Sequence, residues 1–194
     1  MSQQELVKEI SAVLARLGIP FMLTGAVVSS MQGEPRSTHD IGAVVMITRE
    51  NAAALSNAFR SPRYYLDEDS VIRAVAQKSM FNLLDVETGE KADFWILTED
   101  PFDKSRFSRR ETIHVFGVDM PVSRLEDTIL MKLAWSRKSG GSEKQFTDAL
   151  RVYEVQYGAL DMTYMEHWAQ ALEVNDALDR IKREAKPVFP GEDA

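Results

Sequence analysis

Two stretches decide how this chain is read: Phe21-Met22-Leu23-Thr24-Gly25-Ala26, and Pro35-Arg36-Ser37-Thr38-His39-Asp40-Ile41-Gly42 shortly after it. Phe21 to Thr24 is a short apolar run of strand type, and Gly25 turns it into a brief helix, Ala26 to Gln32, closed by Gly33. The loop Glu34 to Thr38 leads into a second, strongly apolar strand, Asp40 to Ile47. A glycine at such a strand-to-helix turn exposes backbone N–H groups and a helix N-terminus, a cradle suited to phosphate oxygens. Asp40 opens its strand, and alternate residues share a strand face. Position 42 is therefore where a second carboxylate would join it to grip a divalent ion. That position holds glycine.

Upstream, Leu6, Ile10, Val13, Leu14 and Leu17 recur at helical spacing from Glu5 to Leu17, and Gly18 supplies the stop. Downstream, Asn51 to Arg60 and Ser70 to Gln77 read as helices, the latter preceded by Asp67-Glu68-Asp69, charges suited to a helix N-terminus. Met80 to Val86 and Ala92 to Leu97 form an expected hairpin about Glu87 to Glu90, and Thr112 to Phe116 and Met120 to Val122 flank Gly117 as a shorter pair. Lys91-Ala92-Asp93 enters a strand expected to neighbour that of Asp40, so Asp93 would supply a further carboxylate from the side. From Leu125 onward strand signals stop and four helical periods follow: 125–137, 143–156, 163–173 and 176–184, with a flexible joint at Lys138 to Ser142. The expected class is α+β, a mixed β-sheet flanked by helices and followed by a helical C-terminal part. The expected organisation is an α/β core over 1–123, a helical subdomain over 124–187 and a flexible tail over 188–194.

Composition narrows the chemistry. The 194 residues are 44% hydrophobic and 27% charged, ordinary for a folded domain with its own core. With no cysteine and three scattered histidines, disulfides, thiol nucleophiles and thiolate or imidazole zinc sites are excluded. A metal site must use oxygen ligands, which points to magnesium or manganese. A net charge of −7 argues against strong binding of duplex nucleic acid, while a small nucleotide remains compatible. The charged N-terminal segment and the lack of a long apolar run place the chain in the cytoplasm as an expectation, with no membrane span.

The Gly18 to Gly25 segment, Pro35 to Ile41, Lys91-Ala92-Asp93, the helical run Leu125 to Leu133, and Lys144 with Asp148 together resemble the DNA polymerase β-type nucleotidyltransferase superfamily. The resemblance covers roughly residues 1–157 and points to its AbiEii-like and related bacterial branches of unknown substrate, which include toxin–antitoxin proteins. It implies a nucleotidyltransferase fold, magnesium or manganese, and a nucleoside triphosphate as substrate. It also implies roles for particular residues: Asp40 and Asp93 as catalytic metal ligands, Gly25 and Ala26 as the phosphate turn, Arg36 near phosphate, and Lys132 near the nucleotide. Two departures stand out. Gly42 replaces the second aspartate of the Asp-x-Asp motif, and Ala26 brings no side-chain hydroxyl to the turn.

Two functions follow from this reading. One is transfer of a nucleoside monophosphate from a nucleoside triphosphate to an unknown acceptor, with Glu34 or substrate oxygens completing the metal shell. The other is a catalytically inactive nucleotide-binding or protein-interaction module, a homodimer or one partner of a toxin–antitoxin pair. Plainer readings of the same residues are a turn residue for Asp40, an ion pair of Asp93 with Lys91 or Arg73, a steric requirement at Gly25, a solvated Arg36, a snorkelling Lys132, and a helix-stabilising Lys144–Asp148 pair. His39 is expected to face away from Asp40.

Overall fold

The computed structural model describes residues 3–38, 40–60, 62–186 and 188. In chain order the elements are α1 (Gln3–Arg16), β1 (Phe21–Thr24), α2 (Gly25–Gln32), β2 (Asp40–Val45), α3 (Arg49–Ala58), β3 (Tyr64–Tyr65), α4 (Glu68–Gln77), β4 (Met80–Asp85), β5 (Lys91–Ile96) and α5 (Pro101–Ser108). They continue with β6 (Glu111–Val115), β7 (Val118–Val122), α6 (Leu125–Lys138), α7 (Glu143–Val155), a 3-10 turn (Tyr157–Ala159), α8 (Met162–Ala171) and α9 (Asn175–Glu184). None of the helices is long and apolar enough to cross a membrane among the described residues.

By contact the chain divides into two units. The first comprises the described residues of Met1–Thr24 and Thr38–Ser123, and the second those of Gly25–Ser37 and Arg124–Ala194. Segment 25–37, placed with the α/β core from the sequence, thus belongs with the C-terminal helices. The expected flexible tail lies, apart from Val188, outside the described residues, as does His39.

The first unit is a seven-stranded mixed sheet in the order β3-β4-β5-β2-β1-β7-β6. β1 runs antiparallel to β2, and β2 pairs with β5, the expected neighbour bearing Asp93, in parallel. Two-residue periodicity sorts the side chains. Ile41, Ala43 and Val45 of β2, Ala92, Phe94 and Ile96 of β5, and Phe81 and Leu83 of β4 fall on one buried face, where the rings of Phe81 and Phe94 stack at 4.9 Å. α4 packs on β4, α3 on α4, and α1 on α3. The opposite face changes character along the strands. At one end Met22, Val44 and Phe107 form an apolar cluster with Trp95 and Leu97. At the other end stand Thr24, Gly42, Asp40, Lys91, Asp93 and Asn82.

Asp67 is the N-cap of α4, its carboxylate accepting from the Ser70 N–H, so the acidic run does stand at a helix N-terminus. α5 and β3 have no counterpart in the periodic reading. α5 starts where Asp100 accepts from the N–H groups of Phe102 and Asp103 and Pro101 takes the first helical position.

In the second unit α6 packs on α7, with α2 against both, α8 against α6, and α9 against α7 and α8. The buried acids of α6 have structural partners: Glu126 accepts from the Asp161 N–H at 3.0 Å, and Asp127 accepts from the Tyr164 hydroxyl at 2.7 Å. Gly33, just past α2, lies so close to α7 that a Cβ there would come within 2.8 Å of the Val152 nitrogen.

Candidate functional site

The polar end of this second sheet face is built by strand register. β2 and β5 align Asp40 with Lys91 and Gly42 with Asp93, and β4 sets Asn82 beside Asp93. Because Lys91 and Asp93 are two residues apart, both project to the face that carries Asp40. The Lys91 ammonium lies 3.1 Å from Asp93 Oδ1 and 3.7 Å from Asp40 Oδ1. The Asn82 side-chain amide donates to the same Asp93 Oδ1. Hydrogen bonding to Asp93 raises the Lys91 pKa above its ordinary value; partial burial opposes this, and the charges of Asp93 and Asp40 add to the rise. At this half-exposed position each ion pair contributes at most about 1 kcal/mol.

The structure thus brings Asp40 and Asp93 together on one face and adds Lys91 and Asn82. The Lys91–Asp93 pair was legible in the i,i+2 spacing; the approach of Lys91 to Asp40 depends on the β2–β5 register. Arg73, the alternative partner for Asp93, pairs with Asp67 at 3.3 Å. At Gly42 the space is tight: a Cβ there would lie 3.1 Å from the Thr24 carbonyl oxygen and 3.4 Å from its carbon.

The remaining expected residues lie in the helical unit. Gly25 takes φ 78°, the left-handed region that a side chain would strain, and so meets the steric requirement of the turn. Arg36 donates to both oxygens of Asp148 through Nε and Nη2, each at 2.6 Å, and to the Ser37 carbonyl through Nη1 at 3.1 Å. Lys132 is buried, not snorkelling, and its ammonium donates to Asp148 Oδ2 at 2.6 Å. Asp148, expected to pair with Lys144, instead gives its two oxygens to Arg36 and Lys132. Burial lowers the Lys132 pKa against the opposing pull of Asp148. For Asp148, burial pushes upward but the hydrogen bonds from Arg36 and Lys132 outweigh it and hold the carboxyl below its usual range. Glu34, one of the two alternatives for completing a metal shell, pairs with Arg151 at 3.0 Å.

No protein-family model matches the chain, and no curated protein matches its sequence. Solved structures do match its fold. The antibiotic-resistance factor ANT(2'')-Ia in solution matches with a TM-score of 0.55 and 11% identity, over 93% of this chain and 96% of that one. The crystal structure of ANT(2'')-Ia with adenylyl-2''-tobramycin gives 0.58 and 12%, over 89% and 98%. This chain has the nucleotidyltransferase fold. The lincomycin-bound lincosamide antibiotic adenylyltransferase LnuA agrees, at 0.52 and 11%, over 78% and 96%. At these identities the likeness carries the fold alone.

The nucleotidyltransferase fold implies a divalent ion, and the residues present do not fit one. Among the described residues no three His, Cys, Asp or Glu side chains are grouped to hold a metal. On this sheet face the donor set is Asp40 and Asp93, with glycine at the third corner, and a lysine ammonium approaches both carboxylates. Two-metal phosphoryl chemistry needs carboxylates that bridge and orient ions, and this face supplies two with an ammonium beside both.

Proposed function

We propose that this chain is a nucleotide-binding protein of the nucleotidyltransferase fold in which metal-dependent nucleotidyl transfer is impaired. The carrying observation is the β2–β5 register, which sets Gly42 opposite Asp93 and Lys91 between Asp93 and Asp40. Nucleoside triphosphate is the ligand proposed, and the backbone of Gly25 and Ala26 is its proposed phosphate contact, a reading supported by the left-handed turn at Gly25. The test is thermal-shift binding of the four nucleoside triphosphates, with and without magnesium, on the native chain, Asp40→Ala and Gly42→Asp. Native protein should be stabilised to the same degree with or without metal, by roughly 5–10 °C at a hundredfold excess over Kd. Stabilisation of the native chain that requires magnesium and is abolished in Asp40→Ala would sink this reading. If no triphosphate stabilises any variant, the function belongs to a protein partner, as in the toxin–antitoxin reading.

A second reading is favoured by one observation: Asp40 and Asp93 share a face on neighbouring strands. It is transfer of a nucleoside monophosphate to a small acceptor such as the tobramycin and lincomycin named for the matched structures, and it requires that magnesium or manganese displace Lys91 from the two carboxylates. Incorporation of labelled nucleotide into such an acceptor, lost in Asp40→Ala and Asp93→Ala, would establish it. No incorporation under either metal would exclude it.

A further inference from the structure

We infer that Lys91 is the resident cation of this site: its ammonium takes the place of a divalent ion between Asp40 and Asp93 and thereby excludes metal from the sheet face. The inference concerns the same face as the proposed function but does not depend on nucleotide being bound.

Strand geometry makes the placement a property of the fold. Lys91 stands directly across from Asp40 on the parallel neighbour and two residues before Asp93 on its own strand, so one side chain serves two carboxylates on two strands. The ammonium is 3.1 Å from one and 3.7 Å from the other. Asp93 Oδ1 receives both this ammonium and the Asn82 amide, so an ion approaching that oxygen must displace two donors already in place. The third corner offers no compensating ligand, and the 3.1 Å approach of a Cβ at position 42 to the Thr24 carbonyl means β1 must shift to admit one. Charge decides the balance. Two carboxylates alone present −2 to an ion, whereas with Lys91 they present −1. A tethered ammonium also loses no translational freedom on pairing, while a free ion must shed water to compete.

The test is a titration of manganese, followed by water-proton relaxation, into the full chain without nucleotide, comparing native protein, Lys91→Met and Lys91→Met with Asp40→Asn. Native protein should show no saturable binding at this face. Lys91→Met should gain one site, tighter by roughly tenfold or more, the change expected for removing one opposing charge at a half-exposed position. Adding Asp40→Asn should abolish it. Thermal melts give a second readout: manganese should raise the melting temperature of Lys91→Met and leave that of native protein unchanged. If Lys91→Met does not fold, Lys91→Gln carries the same comparison. Saturable binding by the native chain that Asp40→Asn removes would overturn the inference. So would a failure of the Lys91 variants to gain a site, or a gained site indifferent to Asp40. Since no nucleotide is present, these outcomes stand apart from success or failure of triphosphate binding.

Discussion

Asp148 shows how far one residue's role departs from its local sequence. Four residues from Lys144 on a helix, it satisfies a helical pairing rule, yet its oxygens accept from Arg36, 112 positions away, and from Lys132. Asp148→Asn leaves the buried Lys132 ammonium without its counter-charge, and breaking a buried pair of this kind costs about 3–5 kcal/mol. A denaturant melt should show the loss, with the midpoint moved and the slope preserved. The carboxyl also links stability to pH. Its folded pKa lies below its unfolded value, so it contributes stability above the ordinary carboxylate range of about pH 4 and loses it as pH falls through the lowered folded pKa. Asp85 acts in the same direction: burial pushes its pKa up, but hydrogen bonds from Arg63 and from the N–H groups of Glu87 and Thr88 bring it below normal. Stability should therefore fall on acidification below about pH 4, and Asp148→Asn should flatten that fall without removing it, as measured by melts from pH 2 to 6.

At the scale of elements, the close approach of the chain past α2 to α7 leaves no room for a side chain at Gly33. Gly33→Ala would put a Cβ 2.8 Å from the Val152 nitrogen and 3.0 Å from the Arg151 carbonyl carbon, both backbone atoms that cannot swing aside. Overpacking of this kind costs about 1–3 kcal/mol, a fall of roughly 2–12 °C in melting temperature for a chain of this size. Hydrogen exchange should localise the loosening to α2 and α7. Most elements were legible because their signals are local: α1, α6 and α7 carry helical periodicity, and β4 and β5 flank a polar turn. α5 escaped because its buried residues, Phe102, Arg106 and Phe107, make a short and partly polar face, although Asp100-Pro101 announces its start. β3, two residues long, is a strand only because Tyr64 and Tyr65 pair with Asp85 and Leu84.

For the whole molecule, the order of elements and the order of packing differ. Gly25–Ser37 interrupts the α/β unit in sequence and joins the helices that begin at Arg124. A fragment ending at residue 123 would keep α2 but lose α6 and α7, the helices against which it packs. Such a fragment should bind a hydrophobic dye and aggregate, and its helix content should fall below the sum of its own helices. A well-dispersed, dye-free fragment would show that α2 is held within the first unit instead.

The sequence by itself determined the α+β class, the strand–helix–strand stretch at Phe21 to Val45, the presence of Asp40 and Asp93, and the glycine at 42, because periodicity, turn residues and residue identity are properties of neighbouring positions. Only the tertiary structure decided what those residues meet. Parallel pairing of β2 with β5 set Lys91 between the aspartates. Packing of α2 with α6 and α7 drew Arg36 and Lys132 onto Asp148. Contacts of that range follow from how faces are buried and strands are registered, which local sequence does not specify.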